Sequence, residues 1–216
     1  SNETYGDPLY PNKPGSGGGT NWSAAGAGGG VAHLFAQAIS VRGGIKANGA
    51  DGAVWADPAG SGGSILINAA TLSGSGTVSA NGGKGYAQGG SGGGGRVAVY
   101  LLGDMTLPRG NITASGGTGG SGPGQEGTVR IPEEPVFLFV EQGSGLFHSV
   151  ETLEWIALGL DPAEGFLVDV IATGQDRLFT LASAVPGSSA VQWDTTQVPD
   201  GSYQINAVFT NGLSEV

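Results

Sequence analysis

Residues 62–83 read Gly62-Gly63-Ser64-Ile65-Leu66-Ile67-Asn68-Ala69-Ala70-Thr71-Leu72-Ser73-Gly74-Ser75-Gly76-Thr77-Val78-Ser79-Ala80-Asn81-Gly82-Gly83. Apolar residues alternate over two short stretches here, near Ile65 and near Val78, and each stretch is bounded by Gly and Ser. A period of two that is broken by turn residues is typical of short strands joined by turns. A helix is disfavoured, because no window keeps a 3.6-residue pattern free of Gly for three turns.

The same arrangement recurs along the chain. The first anchor of each copy falls at Val31, Ile65 and Val97, and the second anchor falls at Ile45, Val78 and Ile112. The period is therefore 32–34 residues, and residues 128–131 begin a fourth copy that Pro132 interrupts. Strands that recur at a constant period and stack coil on coil predict a parallel β-solenoid. About 20 residues of each period would form the strands, and we expect the glycine-rich remainder to protrude as a loop.

Glycine is concentrated in this repeated region. Residues 1–132 hold 36 of the 44 glycines. Each glycine costs about 0.5–1 kcal/mol relative to alanine when it is fixed in regular structure. Two arrangements of the glycine tracts remain open: mobile loops, or polyglycine II segments packed side by side through dense backbone hydrogen bonding.

Charge divides the chain into modules with different compositions. Residues 133–216 hold twelve acids and a single base, Arg177, whereas residues 1–132 hold six acids and seven bases. We predict an N-terminal arm over residues 1–14, a glycine-rich repeat module over 15–132 and an acidic module over 133–216. A formal net charge of −10 argues against a nucleic-acid partner, and the absence of Cys excludes a disulfide scaffold. No apolar run is long enough to span a membrane.

The acidic module shows the pattern of an all-β sandwich. Six candidate strands are separated by turn residues: 136–141, 151–158, 166–172, 177–182, 190–194 and 203–209. The stretch from Trp193 to Tyr203 is similar to the E–F region of Ig-like and fibronectin-III-like bacterial modules. That resemblance implies a tyrosine corner, in which the Tyr203 hydroxyl bonds back to the preceding turn. Independently of the resemblance, we expect Trp155 and Trp193 to lie in the core and not to serve as ligand platforms. The expected seventh strand has only residues 213–216 left to form it.

The repeat module also resembles a known class of proteins. Residues 62–83 and the run Gly92-Gly93-Gly94-Gly95-Arg96-Val97-Ala98-Val99-Tyr100 look like the glycine-rich repeats of very large secreted bacterial surface proteins. The likeness covers roughly residues 5–131. It implies an extracellular, adhesin-like structural role and carries over no catalytic residue.

Candidate chemistry is sparse in this sequence. His33 and His148 lie in different modules, and no nucleophile motif or phosphate loop is present. We expect no catalytic residue, no cofactor and no metal site; the nearest approach to a metal site is a calcium-binding possibility at Asp51. Trp22, Trp55 and Tyr86, in or beside glycine tracts, are candidate contacts for a ligand or a second subunit.

These features predict a non-enzymatic structural subunit of a secreted filament or cell-surface assembly. The alternative is a carbohydrate- or host-binding pair of modules from a large bacterial adhesin. We expect copies of the chain to join head to tail as a homopolymer. The N-terminal arm, which has no evident place in the solenoid, would cover the open edge of the sandwich in the neighbouring copy.

Overall fold

The computed structural model describes residues 6–19, 25–54, 56–132, 136–139, 150–159, 167–174, 178–186 and 189–210. The chain forms two compact units, Ser1–Glu133 and Glu134–Val216. The helical elements among the described residues are two 3₁₀ turns, Arg109–Asn111 and Thr195–Gln197. The regular structure of this part of the chain is otherwise β, which confirms the predicted all-β class.

The first unit is a parallel β-solenoid of about three coils, as predicted. Its strands are β1 (Val31–Val41), β2 (Gly44–Lys46), β3 (Ser64–Gly74), β4 (Thr77–Ser79), β5 (Arg96–Leu101), β6 (Ile112–Thr113) and β7 (Thr128–Arg130). One sheet has the order β1-β3-β5-β7 and the other has the order β2-β4-β6. Every pairing in both sheets is parallel.

The register confirms most of the predicted repeat alignment. Ile45 pairs with Val78, and Val78 pairs with Ile112, as the second anchor requires. The first anchor is wrong by one residue in the first copy, since Ile65 pairs with Ala32 and not with Val31. A shift of one residue moves a side chain to the other face of a sheet. Val31 is accordingly exposed, and Ala32 packs against the core.

The solenoid core lies between the two parallel sheets. It is built mainly from Ile65 and Ile67 of β3, Val97 and Val99 of β5, and Val78 of β4, all completely buried. Burying an aliphatic side chain of this size contributes about 1.5–3 kcal/mol. The alternation read from the sequence therefore selects the correct inward face of both long inner strands.

The prediction of protruding glycine loops is wrong. The glycine tracts lie side by side and hydrogen-bond to one another through their backbones. We call this array the glycine bundle; it comprises residues 15–18, 26–30, 47–52, 59–63, 80–85, 89–95, 114–117 and 124–127. The tracts can approach so closely because they carry few side chains, and backbone pairing replaces the side-chain burial that glycine cannot supply.

The second unit contains two small antiparallel sheets. Its strands are β8 (Val136–Phe139), β9 (Val150–Leu158), β10 (Leu167–Thr173), β11 (Leu178–Pro186), β12 (Ser189–Asp194) and β13 (Gln204–Thr210). The sheets have the orders β12-β9-β8 and β11-β10-β13. Trp155 of β9 packs with Val170 of β10, so the two sheets share a core. The six strands occupy the six predicted positions to within a few residues.

Candidate functional site

Backbone hydrogen bonds in the glycine bundle follow a period of three. The tract 59–64 shows the pattern. Ala59 and Gly62 donate to Gly90 and Gly93 of the next coil. The residues that follow each of them, Gly60 and Gly63, donate to Ala50 and Ala47, and the third pair, Ser61 and Ser64, donates to Ser16 and Gly30. This tract thus has neighbours in three directions. Three residues per turn is the geometry of a polyproline II or polyglycine II helix. Of the two arrangements left open by the sequence, the structure has the densely hydrogen-bonded one.

Close backbone contact explains why particular positions must be glycine. A Cβ on Gly60 would lie 1.9 Å from the carbonyl oxygen of Ala27, one on Gly92 would lie 1.9 Å from that of Gly60, and one on Gly124 would lie 1.9 Å from that of Gly92. These residues form one column through successive coils. At Gly93, by contrast, the nearest atom to such a Cβ is 3.7 Å away. The glycines of the column are required by packing of the tracts and not by a left-handed backbone.

Side-chain oxygens take the place of glycine carbonyls along one edge of the bundle. Asn48 Oδ1 accepts from the backbone nitrogen of Asn81 at 2.8 Å, and Asn81 Oδ1 accepts from that of Ser115 at 2.8 Å. Asp51 Oδ1 accepts from the backbone nitrogen of Lys84 at 2.7 Å in the same manner. Asp51, the calcium candidate, therefore stabilises the stacking of coils. No group of three or more His, Asp or Glu residues suited to a metal ion occurs among the described residues.

The N-terminal arm packs on the solenoid, so the expectation that it has no place there is wrong for its described part, residues 6–14. The backbone carbonyls of Leu9, Pro11 and Lys13 accept hydrogen bonds from Tyr100 Oη, His33 Nε2 and Ser64 Oγ, which lie on β5, β1 and β3. The arm thus crosses three strands on the outer face of their sheet.

The arm hydrogen-bonds to a face of the sheet that alternation alone would leave in water. Leu66 and Ala98 point away from the solenoid core, yet both are completely buried. Burial raises the pKa of the Tyr100 hydroxyl to about 12, with the negative charge of Asp7 adding to the shift and the positive charge of Arg130 opposing it. The polar outer positions Ser64 and Tyr100 could have suggested this cover, but a polar residue in a strand is usually a solvated one.

A groove lies between the arm and the glycine bundle. It has a volume of about 400 Å³ and is lined by Lys13, Ser16, Ser61, Ser64, Arg96 and Gln125 among others. The hydroxyls of Ser16 and Ser61 are 3.2 Å apart, and Arg96 donates to Thr128 Oγ1 at 3.1 Å. Serine hydroxyls, glycine backbone, the cations Lys13 and Arg96 and the acid Glu126 border the groove.

The predicted contact residues divide between described and undescribed parts of the chain. Trp22, Trp55 and His148 lie outside the described residues. Tyr86 is 50% exposed and begins a turn, where its carbonyl accepts from the backbone nitrogen of Gly89. The next residue, Ala87, has φ +47°, and Ala56 one coil earlier has φ +60°. Tyr86 is therefore held by backbone bonds at the surface of the bundle.

In the second unit, Tyr203 lies at the start of β13 and is anchored at both ends of its side chain. Its hydroxyl donates to the carbonyl of Pro199 at 2.7 Å. Its ring meets Trp193 edge to face with centroids 5.8 Å apart, and Phe179 at 5.9 Å. Trp193 is 9% exposed. These contacts tie the connection after β12 to the core.

Comparison with family models, curated proteins and solved structures finds no match to this chain. No helix long and apolar enough to cross a membrane occurs in the described part of the chain.

Proposed function

We propose that this chain is a non-enzymatic structural subunit of an extracellular filament or cell-surface assembly. The observation that carries the proposal is the glycine bundle. Its coils are joined by backbone hydrogen bonds at a period of three residues, with carbonyl-to-Cβ spacings that exclude any side chain in columns such as Gly60, Gly92 and Gly124. Extensive rigid packing of this kind supports a mechanical role better than a catalytic one.

Composition supports the extracellular location of this subunit. The chain has no Cys, eight Lys and Arg residues and 44 glycines. The resemblance of the repeat module to glycine-rich repeats of large secreted bacterial surface proteins points the same way. The net charge of −10 keeps nucleic acid out of the proposed set of partners.

The second unit is proposed to be an Ig-like or fibronectin-III-like module. In a fibronectin-type arrangement the first, second and fifth strands form one sheet, and the third, fourth and sixth form the other; the orders β12-β9-β8 and β11-β10-β13 fit this scheme. The bond from Tyr203 to Pro199 has the direction of a tyrosine corner.

Negative-stain microscopy of the purified chain over a range of concentrations tests the structural proposal. Ordered filaments or regular sheets are expected. The matched variants are Gly92→Ala, which places a Cβ 1.9 Å from a backbone carbonyl, and Gly93→Ala, whose Cβ meets nothing closer than 3.7 Å. Assembly should survive only the second substitution. Dispersed monomers of the unaltered chain at high concentration would contradict the proposal.

A carbohydrate- or host-binding adhesin module is the second candidate. Half-exposed Tyr86, held on backbone bonds at the surface of the bundle, is the observation that favours it, because exposed aromatic rings stack on sugars. Glycan-array binding by the intact chain, lost in Tyr86→Ala or Trp55→Ala but kept in Tyr10→Ala, would support this function. An array without signal would leave only the structural role.

A further inference from the structure

Among the described residues, no strand pairs with the outer edge of β1, the first strand of the solenoid. β1 is eleven residues long and pairs, among the described residues, with β3 alone. Its sequence, VAHLFAQAISV, contains neither Pro nor a charged residue. Edge strands normally avoid pairing with other chains through charges, Pro, bulges or short length. β1 has neither a charged residue nor Pro, and it is one of the two longest strands in the described structure.

The opposite edge of the same sheet is built differently. There the outermost strand, β7, has three residues, ends in Arg130, and is followed shortly by Pro132. Short length, charge and Pro are the recognised means of blocking edge-to-edge association. The two edges of this sheet therefore differ: β7 is protected against the addition of another strand by its short length, Arg130 and Pro132, and β1 has none of these three features.

The described residues that precede β1 do not form a coil over its edge. The arm crosses the outer face of the sheet, where it reaches β1 through His33 and β5 through Tyr100. Residues 15–18 instead pair with residues 26–29 in the glycine bundle. Half of the N–H and C=O groups of β1 point away from β3, as in any edge strand.

Apolar groups near this edge also remain accessible. Val31 is 44% exposed and Phe35 is 54% exposed. On the inner face, Ala32, Leu34 and Ile39 pack against the core but are only partly buried. A strand added beside β1 would complete the burial of these inner side chains and satisfy the free backbone groups.

We propose that two copies of this chain pair through β1, strand against strand and antiparallel, about a two-fold axis. One surface can pair with its own copy only in an isologous arrangement. An uncharged strand meets no like-charge repulsion in such a pairing, and the inner faces of the two solenoids join into a continuous core. This inference deepens the proposed structural function, because it names one contact of the assembly: a head-to-head contact, which cannot by itself propagate a head-to-tail polymer.

The test compares the mass of the intact chain with that of edge variants by sedimentation velocity across a dilution series. The unaltered chain should show a reversible monomer–dimer step. Full-length antiparallel pairing centres on Ala36, so Phe35→Lys brings two like charges together and should raise the dimer dissociation constant more than about tenfold. The side chain of Phe35 is already exposed, so folding of the monomer should be unchanged, as circular dichroism can check.

A second variant and a control keep the test decisive. Gln37→Pro removes a backbone donor from the strand and should also abolish dimers. Val129→Lys places the same charge on an exposed position of β7, at the opposite edge of the sheet, and dimers should persist. Dimers that survive both β1 substitutions would overturn the β1 contact while leaving a structural role intact. An unaltered chain that stays monomeric in sedimentation and forms no ordered assembly in microscopy would overturn both proposals.

Discussion

The side-chain oxygen of Asn48 lies 2.8 Å from the backbone nitrogen of Asn81, its counterpart in the next coil of the solenoid. Asn81 makes the same bond to Ser115 one coil later, also at 2.8 Å. The asparagine side chains thus add to the backbone hydrogen bonds that join successive coils. Stacking of the coils is therefore stabilised by this ladder of asparagine side chains, although asparagine has a low propensity for β-strands.

Asn81→Ala should reduce stability by about 1 kcal/mol. The substitution removes the acceptor for the backbone nitrogen of Ser115, so that donor loses its partner in the protein. Chemical denaturation monitored by circular dichroism measures the loss. Ser115→Ala is the matched control, because its backbone donor and its acceptor remain in place. Equal losses in both variants would show that the ladder is not responsible.

Gly92→Ala and Gly93→Ala should differ sharply although the residues are adjacent. A Cβ at Gly92 would overlap the carbonyl of Gly60, whereas a Cβ at Gly93 would lie 3.7 Å from the nearest atom. Overlap with backbone cannot be relieved by a rotamer change, so the first substitution should cost about 3 kcal/mol, the upper end of the range for overpacking. The second should change stability by less than about 1 kcal/mol, in the stabilising direction. Similar unfolding midpoints for the two variants would contradict the bundle geometry.

Stability of the solenoid should fall as the pH rises from 10 toward 12. Burial holds the pKa of Tyr100 near 12 in the folded chain, against an ordinary value of 10 once the chain unfolds. The unfolded chain therefore releases this proton first, and the stabilisation is complete below pH 10 and lost as the pH approaches 12. Denaturation midpoints across this range measure the decline. Tyr100→Phe should flatten it relative to Tyr86→Phe, and parallel declines in both variants would assign the effect to other groups.

Ala87→Gly should stabilise the chain. Ala87 has φ +47°, in the left-handed region that costs an L-residue about 1–2 kcal/mol. Glycine escapes that cost but loses about 0.5–1 kcal/mol of chain entropy on folding, so a net gain of up to about 1 kcal/mol is expected. Thermal unfolding of Ala87→Gly and Ala53→Gly provides the comparison. Ala53 is not among the residues with positive φ, so its substitution should have the opposite sign.

Some features of the candidate surfaces could be predicted from the sequence and others could not. Asn48 and Asn81 occupy equivalent positions in the repeat, so the ladder was visible as a pattern, although nothing local showed what the amides bind. The packing of the arm on the sheet could not be predicted, because it brings together Leu9 and Tyr100, which are 91 residues apart in the chain. Leu9, Pro11 and Lys13 bind the sheet through backbone carbonyls, and carbonyls leave no mark in the sequence.

Local side-chain patterns were enough to predict the strands, the repeat period and the pairing of Ile45 with Val78, because alternation along a strand and recurrence between coils are both visible in the sequence. The arrangement of the glycine tracts, by contrast, depends on tertiary packing. Glycine has no side chain that could indicate which way a residue points, so Gly92 and Gly93 look alike in the sequence. In the structure, a Cβ on Gly92 would lie 1.9 Å from a carbonyl oxygen, whereas a Cβ on Gly93 would lie 3.7 Å from the nearest atom. The first anchor was misplaced at Val31 for a related reason. Val31 and Ala32 are both apolar, and only the pairing between coils shows that Ala32 meets Ile65.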